Sequence, residues 1–202
     1  MEAIYEAGYQ SPSRVYDDGA KLGLSPRTYR SGAKGTTINY AIAKCGLGLV
    51  LVATTDKGVC CIQLGDSRKA LEQELQKRFP LAEITEDSRA LSEQVAEIVK
   101  VVENPRAHRC SLPLDIQGTA FQMRVWDELR KIPAGSTATY SEIARRINQP
   151  EAVRAVASAI ANNKLAVVIP CHRVIGKSGE LTGYRWGVER KRQLLESEVR
   201  RK

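Results

Sequence analysis

The stretch TAFQMRVWDELRKIPAGSTATYSEIARRI, residues 119–147, predicts two helices separated by a turn. Phe121, Val125 and Leu129 recur at the spacing of one helical face, and the PAG sequence that follows ends this first helix. The second helix begins with the T-x-x-E pattern of a capping box, whose first residue is Thr139. This part of the chain is therefore predicted to consist of short, closely spaced helices.

A third helix is predicted directly downstream, over residues 151–162. The NQP sequence before it forms a turn, and Pro150 suits the first position of a helix because the N–H that proline lacks has no partner there. The apolar face of this helix carries Val153, Val156 and Ile160. Two short helices joined by a tight turn in a basic domain make a candidate helix-turn-helix motif.

The opposite face of the third helix combines one long cation with small residues. Arg154, Ser158 and Ala161 fall at positions i, i+4 and i+7. One interpretation is a surface that lets the helix approach nucleic acid closely while Arg154 reaches inward. The other is an alanine-rich helix with one solvated arginine, and the residues alone favour it because alanine is the best helix former.

A cysteine and a histidine stand together in AVVIPCHRVIG, residues 166–176. The apolar run predicts a buried strand that ends at Cys171 and His172. An imidazole within reach of a thiol draws its proton and leaves a thiolate, and a carboxylate then holds the imidazole tautomer. Four downstream residues are candidates for that carboxylate: Glu180, Glu189, Glu196 and Glu198. An inert core cysteine with an accidental histidine neighbour is the alternative, which a Cys-His pair alone does not exclude.

The region before these helices predicts a small sheet. Residues 37–65 alternate between apolar and polar positions, residues 47–53 (LGLVLVA) read as a buried strand, and Asp-Lys-Gly makes a turn between strands. Helices are predicted around residues 67–79 and over 91–102, where the apolar residues share one face, and Pro105 ends the second. An antiparallel sheet with helices is typical of a support domain.

Composition sets broader limits. The 202 residues include 31 Lys and Arg against 23 Asp and Glu, a net charge of +8, which favours a polyanionic partner such as nucleic acid. No apolar run reaches the roughly 18 residues needed to span a bilayer, so no membrane partner is expected. The start of the chain has no secretory signal, and five cysteines are an odd number, so reduced thiols and a cytoplasmic location are expected.

Metal and cofactor binding find little support in the sequence. No C-x-x-C pair occurs, and Cys60 and Cys61 are consecutive on a predicted strand and so should face opposite sides. A distributed site that adds Cys45, Cys110 and His108 stays open, but its ligand spacing is unlike known metal sites. No glycine-rich phosphate loop is present. We therefore predict no metal and no cofactor.

The two ends of the chain are polar. Residues 1–30 have the helix-punctuation pattern of a second helix-turn-helix segment, and residues 31–36 (SGAKGT) suit a flexible linker. Residues 185–202 carry seven basic and three acidic residues. Either solvated charge or phosphate contacts account for that tail.

Taken together, four stretches of the chain resemble the O6-alkylguanine-DNA alkyltransferase family. They are residues 119–147, AVRAVASAIANN, IPCHRVIG and GELTGYRWGVERKRQLL. The resemblance is strong over residues 115–198. Residues 1–30 resemble the last part of an AraC-type DNA-binding domain. An AraC-type segment followed by an alkyltransferase region is similar to a shortened methylation-response regulator that lacks its amino-terminal zinc domain. It implies an α+β fold with a short helical segment at 1–35, a small antiparallel, ribonuclease H-like sheet domain at 36–114, and a mostly helical, winged-helix-like DNA-binding and catalytic domain at 115–202.

The resemblance also implies a role for each matching residue. Cys171 would accept the alkyl group, and His172 would take its proton through a water. Glu198 would orient the histidine, and Asn163 would support the cysteine turn. The predicted DNA and substrate contacts are Tyr140 at the flipped base, Arg154 in the vacated duplex position, and Ser158 on the face of small residues that lets the helix lie close in the groove. Tyr184 and Arg185 are predicted around the pocket.

The function implied is irreversible, stoichiometric transfer of a methyl group from O6-methylguanine, and from O4-methylthymine, in DNA to Cys171 after base flipping. The expected partner is double-stranded DNA with alkylated bases, bound through the minor groove by a monomer. Two rivals are a DNA binder that recruits other repair factors and a transcription regulator that uses residues 1–30. The intact PCHRV sequence argues against the first, and the incomplete AraC-type segment against the second.

Overall fold

A four-stranded mixed sheet forms the amino-terminal half of the protein. The structure is a computed structural model that describes residues 33–199. Strands β1 (Thr37–Cys45), β2 (Gly48–Thr55) and β3 (Gly58–Gly65) pair antiparallel in chain order, as predicted. A fourth strand, β4 (Glu83–Glu86), pairs in parallel with β1, so the sheet has the order β3-β2-β1-β4 and is not purely antiparallel.

Helices cover both faces of this sheet. Helix α1 (Arg68–Arg78) packs Leu71 and Leu75 into a cluster with one face of the strands. Helix α2 (Ser92–Glu103) packs its apolar side into a second cluster, which contains Val50, Val52 and Ile62 from the strands. Both helices lie where the apolar periodicity predicts them.

The carboxy-terminal half is mostly helical. Its helices are α3 (Ala120–Arg130), α4 (Tyr140–Arg146), α5 (Val153–Ala161), a 3-10 turn (Cys171–Arg173) and α6 (Val188–Val199). Two-residue strands β5 (Ala138–Thr139) and β6 (Val174–Ile175) pair in parallel beside them. The α+β fold class is confirmed.

Local signals fix where α3 and α4 begin. The side chain of Thr139 accepts from the backbone N–H of Glu142, and the Glu142 carboxylate accepts from the backbone N–H of Thr139, which is the predicted capping box. Thr119 and Gln122 form the same reciprocal pair at α3. Asn148 then takes a positive φ of 58° in the turn after α4, a conformation that asparagine tolerates.

The two halves share one hydrophobic core. A single cluster runs from Val52 and Ile62 in the sheet to Trp126 in α3 and Leu194 in α6. Strand β3 also holds the cysteine-bearing segment directly, because Ile62 N donates to Lys164 O at 2.8 Å and Ala166 N donates to Ile62 O at 3.1 Å. The sheet therefore fixes the backbone that leads to Cys171, while the domain limits 36–114 and 115–202 stay predictions.

Two secondary-structure predictions are wrong. Residues 166–170 are buried except for the half-buried Val168, but they form turns, with a positive φ of 60° at Val167. The chain then enters the 3-10 turn at Cys171. Helix α5 begins at Val153 and not at residue 151, because the N–H of Ala152 still closes a turn onto Gln149 O. Pro150 consequently precedes the helix.

The two adjacent cysteines also differ from expectation. A β-bulge opposite Ala53 and Thr54 breaks the alternation of β3, so that Cys60 and Cys61 are buried in the same cluster. The segment assigned to residues 1–35 lies almost entirely outside the described residues, as does its proposed helix-turn-helix. None of the helices within residues 33–199 is both long and apolar enough to cross a bilayer.

Candidate active site

The thiol of Cys171 is buried at the start of the 3-10 turn. Cys171 is 4% exposed, and the Nδ2 group of Asn163 donates a hydrogen bond to Sγ of Cys171 at 3.1 Å. Burial raises the pKa of this thiol to about 11, although the Asn163 hydrogen bond and the nearby Lys191 ammonium act in the opposite direction. The sulfur is therefore a neutral thiol at pH 7 and needs a base to become nucleophilic.

Asn163 holds the turn that carries the cysteine. Its Nδ2 group also donates to Ile169 O at 2.9 Å, and its Oδ1 accepts from Leu165 N at 2.9 Å. Between these contacts lies Val167, a β-branched residue at a positive φ, which is a strained conformation. The buried amide thus fixes an unfavourable turn and positions the sulfur of Cys171 with the same side chain.

A buried histidine–carboxylate pair lies next to this turn. Nε2 of His172 is 2.8 Å from Oε1 of Glu198, and the two side chains are 1% and 0% exposed. Glu198 also accepts from Arg173 Nη2 at 2.8 Å and from Gly135 N at 3.0 Å. Burial alone raises the pKa of a carboxyl, but the hydrogen bonds from His172 and Arg173 outweigh it and lower the pKa of Glu198 to about 2.

These contacts determine the protonation state of the imidazole. Glu198 is ionised and can only accept, so Nε2 of His172 carries the proton in this hydrogen bond. Burial lowers the pKa of His172, although the hydrogen bond to Glu198 opposes the shift, and the ring is neutral at pH 7. Nδ1 is then an unprotonated acceptor, and it has no hydrogen-bond partner within residues 33–199. The site holds a base with a free lone pair beside a thiol.

Two cations of the site escaped the sequence analysis. Arg173 follows His172 directly and braces Glu198, and Lys191 is 1% exposed with its Nζ 2.6 Å from Val174 O and 3.0 Å from Thr182 O. For the charged tail, the residues alone left both solvated charge and phosphate contacts open, and neither places a buried cation at the site. The signal was in the spacing, because Lys191, Leu194 and Glu198 fall on the same face of α6 and are its buried residues.

The two predicted tyrosines pack against the core cluster that contains Cys171. Tyr140, at the start of α4, is half-buried, and its Oη lies 2.9 Å from Oγ1 of Thr182. The ring of Tyr184 stands edge-on to His172 at 6.5 Å and to Trp186 at 5.2 Å. Burial raises the pKa of Tyr184 well above its ordinary value. The hydroxyl of Tyr184 is buried and has no hydrogen-bond partner within residues 33–199.

The remaining predicted residues lie outside the thiol cluster. Arg154 and Ser158 are exposed on α5, as the helical spacing predicts. Neither side chain hydrogen-bonds to the residues that form the site around the thiol, which are Asn163, His172, Arg173 and Glu198. Arg185 reaches away from the thiol, with Nη1 at 3.1 Å from Ala161 O and Nη2 at 2.9 Å from Glu74 Oε1 in α1. This arginine ties the segment before α6 to the end of α5 and to the sheet domain.

Over residues 33–199, no three His, Cys, Asp or Glu side chains come together in a way that would hold a metal ion. All five cysteines are free thiols. Burial raises the pKa of Cys45, Cys60, Cys61 and Cys110, so none of these four is an activated thiolate.

The geometry defines a class of protein: one with a buried thiol next in the chain to a buried His-Glu pair, and with two short helices, α4 and α5, the second of which exposes an arginine. Comparisons with known proteins agree with this class. A sequence model described as 6-O-methylguanine DNA methyltransferase, DNA binding domain, matches residues 120–200. The inducible methylated-DNA–protein-cysteine methyltransferase of Bacillus subtilis is 43% identical over 162 residues, which cover 80% of this chain and 85% of that protein.

Two further comparisons extend the match. The bifunctional transcriptional activator/DNA repair enzyme Ada of Escherichia coli is 46% identical over 198 residues, which cover 98% of this chain and 56% of that protein. The chain thus spans little more than half the length of this relative. A crystal structure of Mycobacterium tuberculosis OGT in complex with DNA superposes with a TM-score of 0.67 at 36% identity, covering 80% of this chain and 92% of that one. The chain belongs to the methylated-DNA–protein-cysteine methyltransferase family.

Proposed function

We propose that the protein repairs alkylated DNA by moving the methyl group of O6-methylguanine, and of O4-methylthymine, onto Cys171. The observation that carries this proposal is a buried thiol followed directly by a buried base: Asn163 donates to the sulfur of Cys171, and an ionised Glu198 orients His172, the next residue. The names of the relatives, methylated-DNA–protein-cysteine methyltransferases, support the same substrate and acceptor.

The chemistry follows from the protonation states. The thiol proton passes to Nδ1 of His172 through a bridging water, since the two groups are not directly hydrogen-bonded. The resulting thiolate forms an S–CH₃ bond as the O6–CH₃ bond breaks, and Tyr140 gives a proton to the departing guanine. Glu198 stabilises the imidazolium that forms for the duration of the reaction.

Binding to DNA is assigned to helix α5 and its surroundings. Arg154, Ser158 and Ala161 are exposed along one side of α5, which suits insertion into the minor groove, where the arginine fills the place of the extruded base. Extrusion costs a few kcal/mol, and the base then enters between Tyr140 and Tyr184. Lysines and arginines supply contacts to phosphates, so binding is salt-dependent and largely independent of sequence.

The product limits each molecule to one reaction. A thioether on Cys171 is chemically inert, and the side chains around it offer no group that would hydrolyse it. We accordingly propose that the protein is a stoichiometric reagent. We further propose that it acts as a monomer in the cytoplasm and without a cofactor, because the proposed transfer uses only side chains of this chain.

Mass spectrometry tests the proposal directly. The protein is incubated with duplex DNA that carries one O6-methylguanine, digested, and the peptide with residue 171 is weighed. The expected result is one added methyl group per protein on Cys171, none in Cys171→Ala, and normal transfer in the control Cys110→Ala, a half-buried cysteine away from the site. Methylation at another cysteine, or no transfer from DNA, would refute the assignment.

A further inference from the structure

The hydroxyl of Thr182 lies against the phenol of Tyr140. Oγ1 of Thr182 and Oη of Tyr140 are 2.9 Å apart, although 42 residues separate them in the chain. Thr182 belongs to the segment that joins β6 to α6, and both side chains are half-buried.

Lys191 fixes the backbone of Thr182 from the protein interior. Its Nζ donates to Thr182 O at 3.0 Å and to Val174 O at 2.6 Å, which joins the segment to β6. Lys191 is almost fully buried, and a buried ammonium is retained only where its donors find acceptors. The N–H of Thr182 also donates to Glu180 O at 3.0 Å. The backbone from which the Thr182 hydroxyl projects is thus held independently of Tyr140.

The direction of the Thr182–Tyr140 hydrogen bond has a chemical consequence. A phenol has one proton, so Tyr140 can donate to a base only if its contact with Thr182 runs the other way, with the threonine O–H donating to Oη. As the phenol proton leaves, Oη gains negative charge, and a hydrogen bond to a charged acceptor is roughly twice as strong as a neutral one. The hydrogen bond from the Thr182 hydroxyl to Oη of Tyr140 therefore stabilises the phenol most while proton transfer is under way.

We propose that Thr182 is a positioning residue for proton donation, acting through Tyr140; this rests on the proposed function. Thr182 orients the Tyr140 proton toward the departing guanine and stabilises the phenolate that remains. Thr182 keeps its own proton throughout, and Tyr140 recovers one from water after the base leaves. Lys191 contributes indirectly, because it fixes the backbone from which the threonine hydroxyl projects.

Single-turnover kinetics on duplex DNA with O6-methylguanine separate this role from loop structure. Thr182→Val keeps the shape and removes the hydroxyl, whereas Thr182→Ser keeps the hydroxyl. At saturating DNA we expect the Val variant to transfer the methyl group about tenfold more slowly than wild type, because it loses one hydrogen bond to a charged group. The Ser variant should stay within about threefold of the wild-type rate. The dissociation constant for duplex DNA should change in neither variant.

The decisive comparison uses Tyr140→Phe. If Thr182 acts through the phenol, adding Thr182→Val to Tyr140→Phe slows transfer by no more than about twofold, because coupled residues are non-additive. Ser178→Ala, on the same segment and without contact to Tyr140, is the matched control and should transfer at the wild-type rate. Thr182→Ala, which removes the same hydroxyl with less bulk, replaces the Val variant if valine lowers Tm.

Two results would overturn the proposal: a wild-type rate in both Thr182→Val and Thr182→Ala, or a tenfold loss that persists in the Tyr140→Phe background. The second would show that Thr182 supports the segment and not the proton donor. A wild-type protein that transfers no methyl group from DNA overturns the proposed function itself, and this assignment with it.

Discussion

Replacing Glu198 by Gln tests the buried pair most severely, since the side chain keeps its size and loses its charge. Glu198 is fully buried and accepts from His172, Arg173 and Gly135 N. An amide NH₂ group would face one of these donors with a donor of its own. The largely buried Arg173 guanidinium would also lose its counter-charge.

The magnitude follows from the carboxyl pKa, which falls from 4.5 to about 2. Since a tenfold change in the ionisation constant corresponds to about 1.36 kcal/mol, this lowering of the pKa corresponds to about 3 kcal/mol of stability at pH 7. Because the pKa of the folded state is depressed, this stability is fully present above about pH 4.5 and is lost as the pH falls through about 2. The difference between wild type and Glu198→Gln should shrink over the same range.

Urea unfolding at pH 7 and at acidic pH measures this difference. Glu196→Gln, an exposed glutamate on the same helix, is the control and should stay within about 0.5 kcal/mol of wild type. Methyl transfer by Glu198→Gln should also fall at least about tenfold, since the base loses the charge that supports its imidazolium. A Glu198→Gln protein as stable as the control, or a deficit that is unchanged at low pH, would refute the proposed electrostatics.

Three further outcomes are expected. As the pH is lowered from neutral, the transfer rate should stay constant down to about pH 6.5 and decline only below it, because burial lowers the pKa of the base His172. A decline that begins above pH 7 in single-turnover assays would contradict this. Asn163→Ala should lose about 3 kcal/mol in urea unfolding, since it leaves buried backbone groups unpaired, whereas exposed Asn162→Ala should lose less than about 1 kcal/mol. Arg154→Ala should slow transfer from duplex DNA more than from the free base O6-methylguanine, and equal slowing on both would exclude a role in base extrusion.

The parts of the fold that the sequence predicted depend on neighbouring residues. Thr139 and Glu142 are three residues apart and make their capping box within one turn. Val95, Ile98 and Val102 define the buried face of α2 by spacing alone. In each case the interaction that decides the structure lies within about a dozen residues.

The errors arose where distant contacts decide. An apolar run such as residues 166–170 suits a strand, yet hydrogen bonds from Asn163 and the attachment to β3 at Ile62 fold it into turns. The parallel pairing of β4 with β1 likewise has no local signal, because Glu83–Glu86 shows little apolar alternation.

The site shows the same division. The Cys-His pair was evident in the sequence, but the residues alone left four carboxylates open, and only the packing of α6 brings Glu198 to His172. The ion pair between Arg185 and Glu74 joins residues 111 positions apart. Such a contact follows from how the two halves pack, which no local pattern encodes.

All the chemistry proposed for Cys171 depends on which ring nitrogen of His172 carries the proton. Nitrogen-15 NMR of the imidazole reads this directly, and assignment is simple because the chain has two histidines, so that a His108→Gln variant leaves one. At pH 7 we predict a protonated Nε2 and an unprotonated Nδ1. An imidazolium, or a proton on Nδ1 with Nε2 bare, would contradict the mechanism.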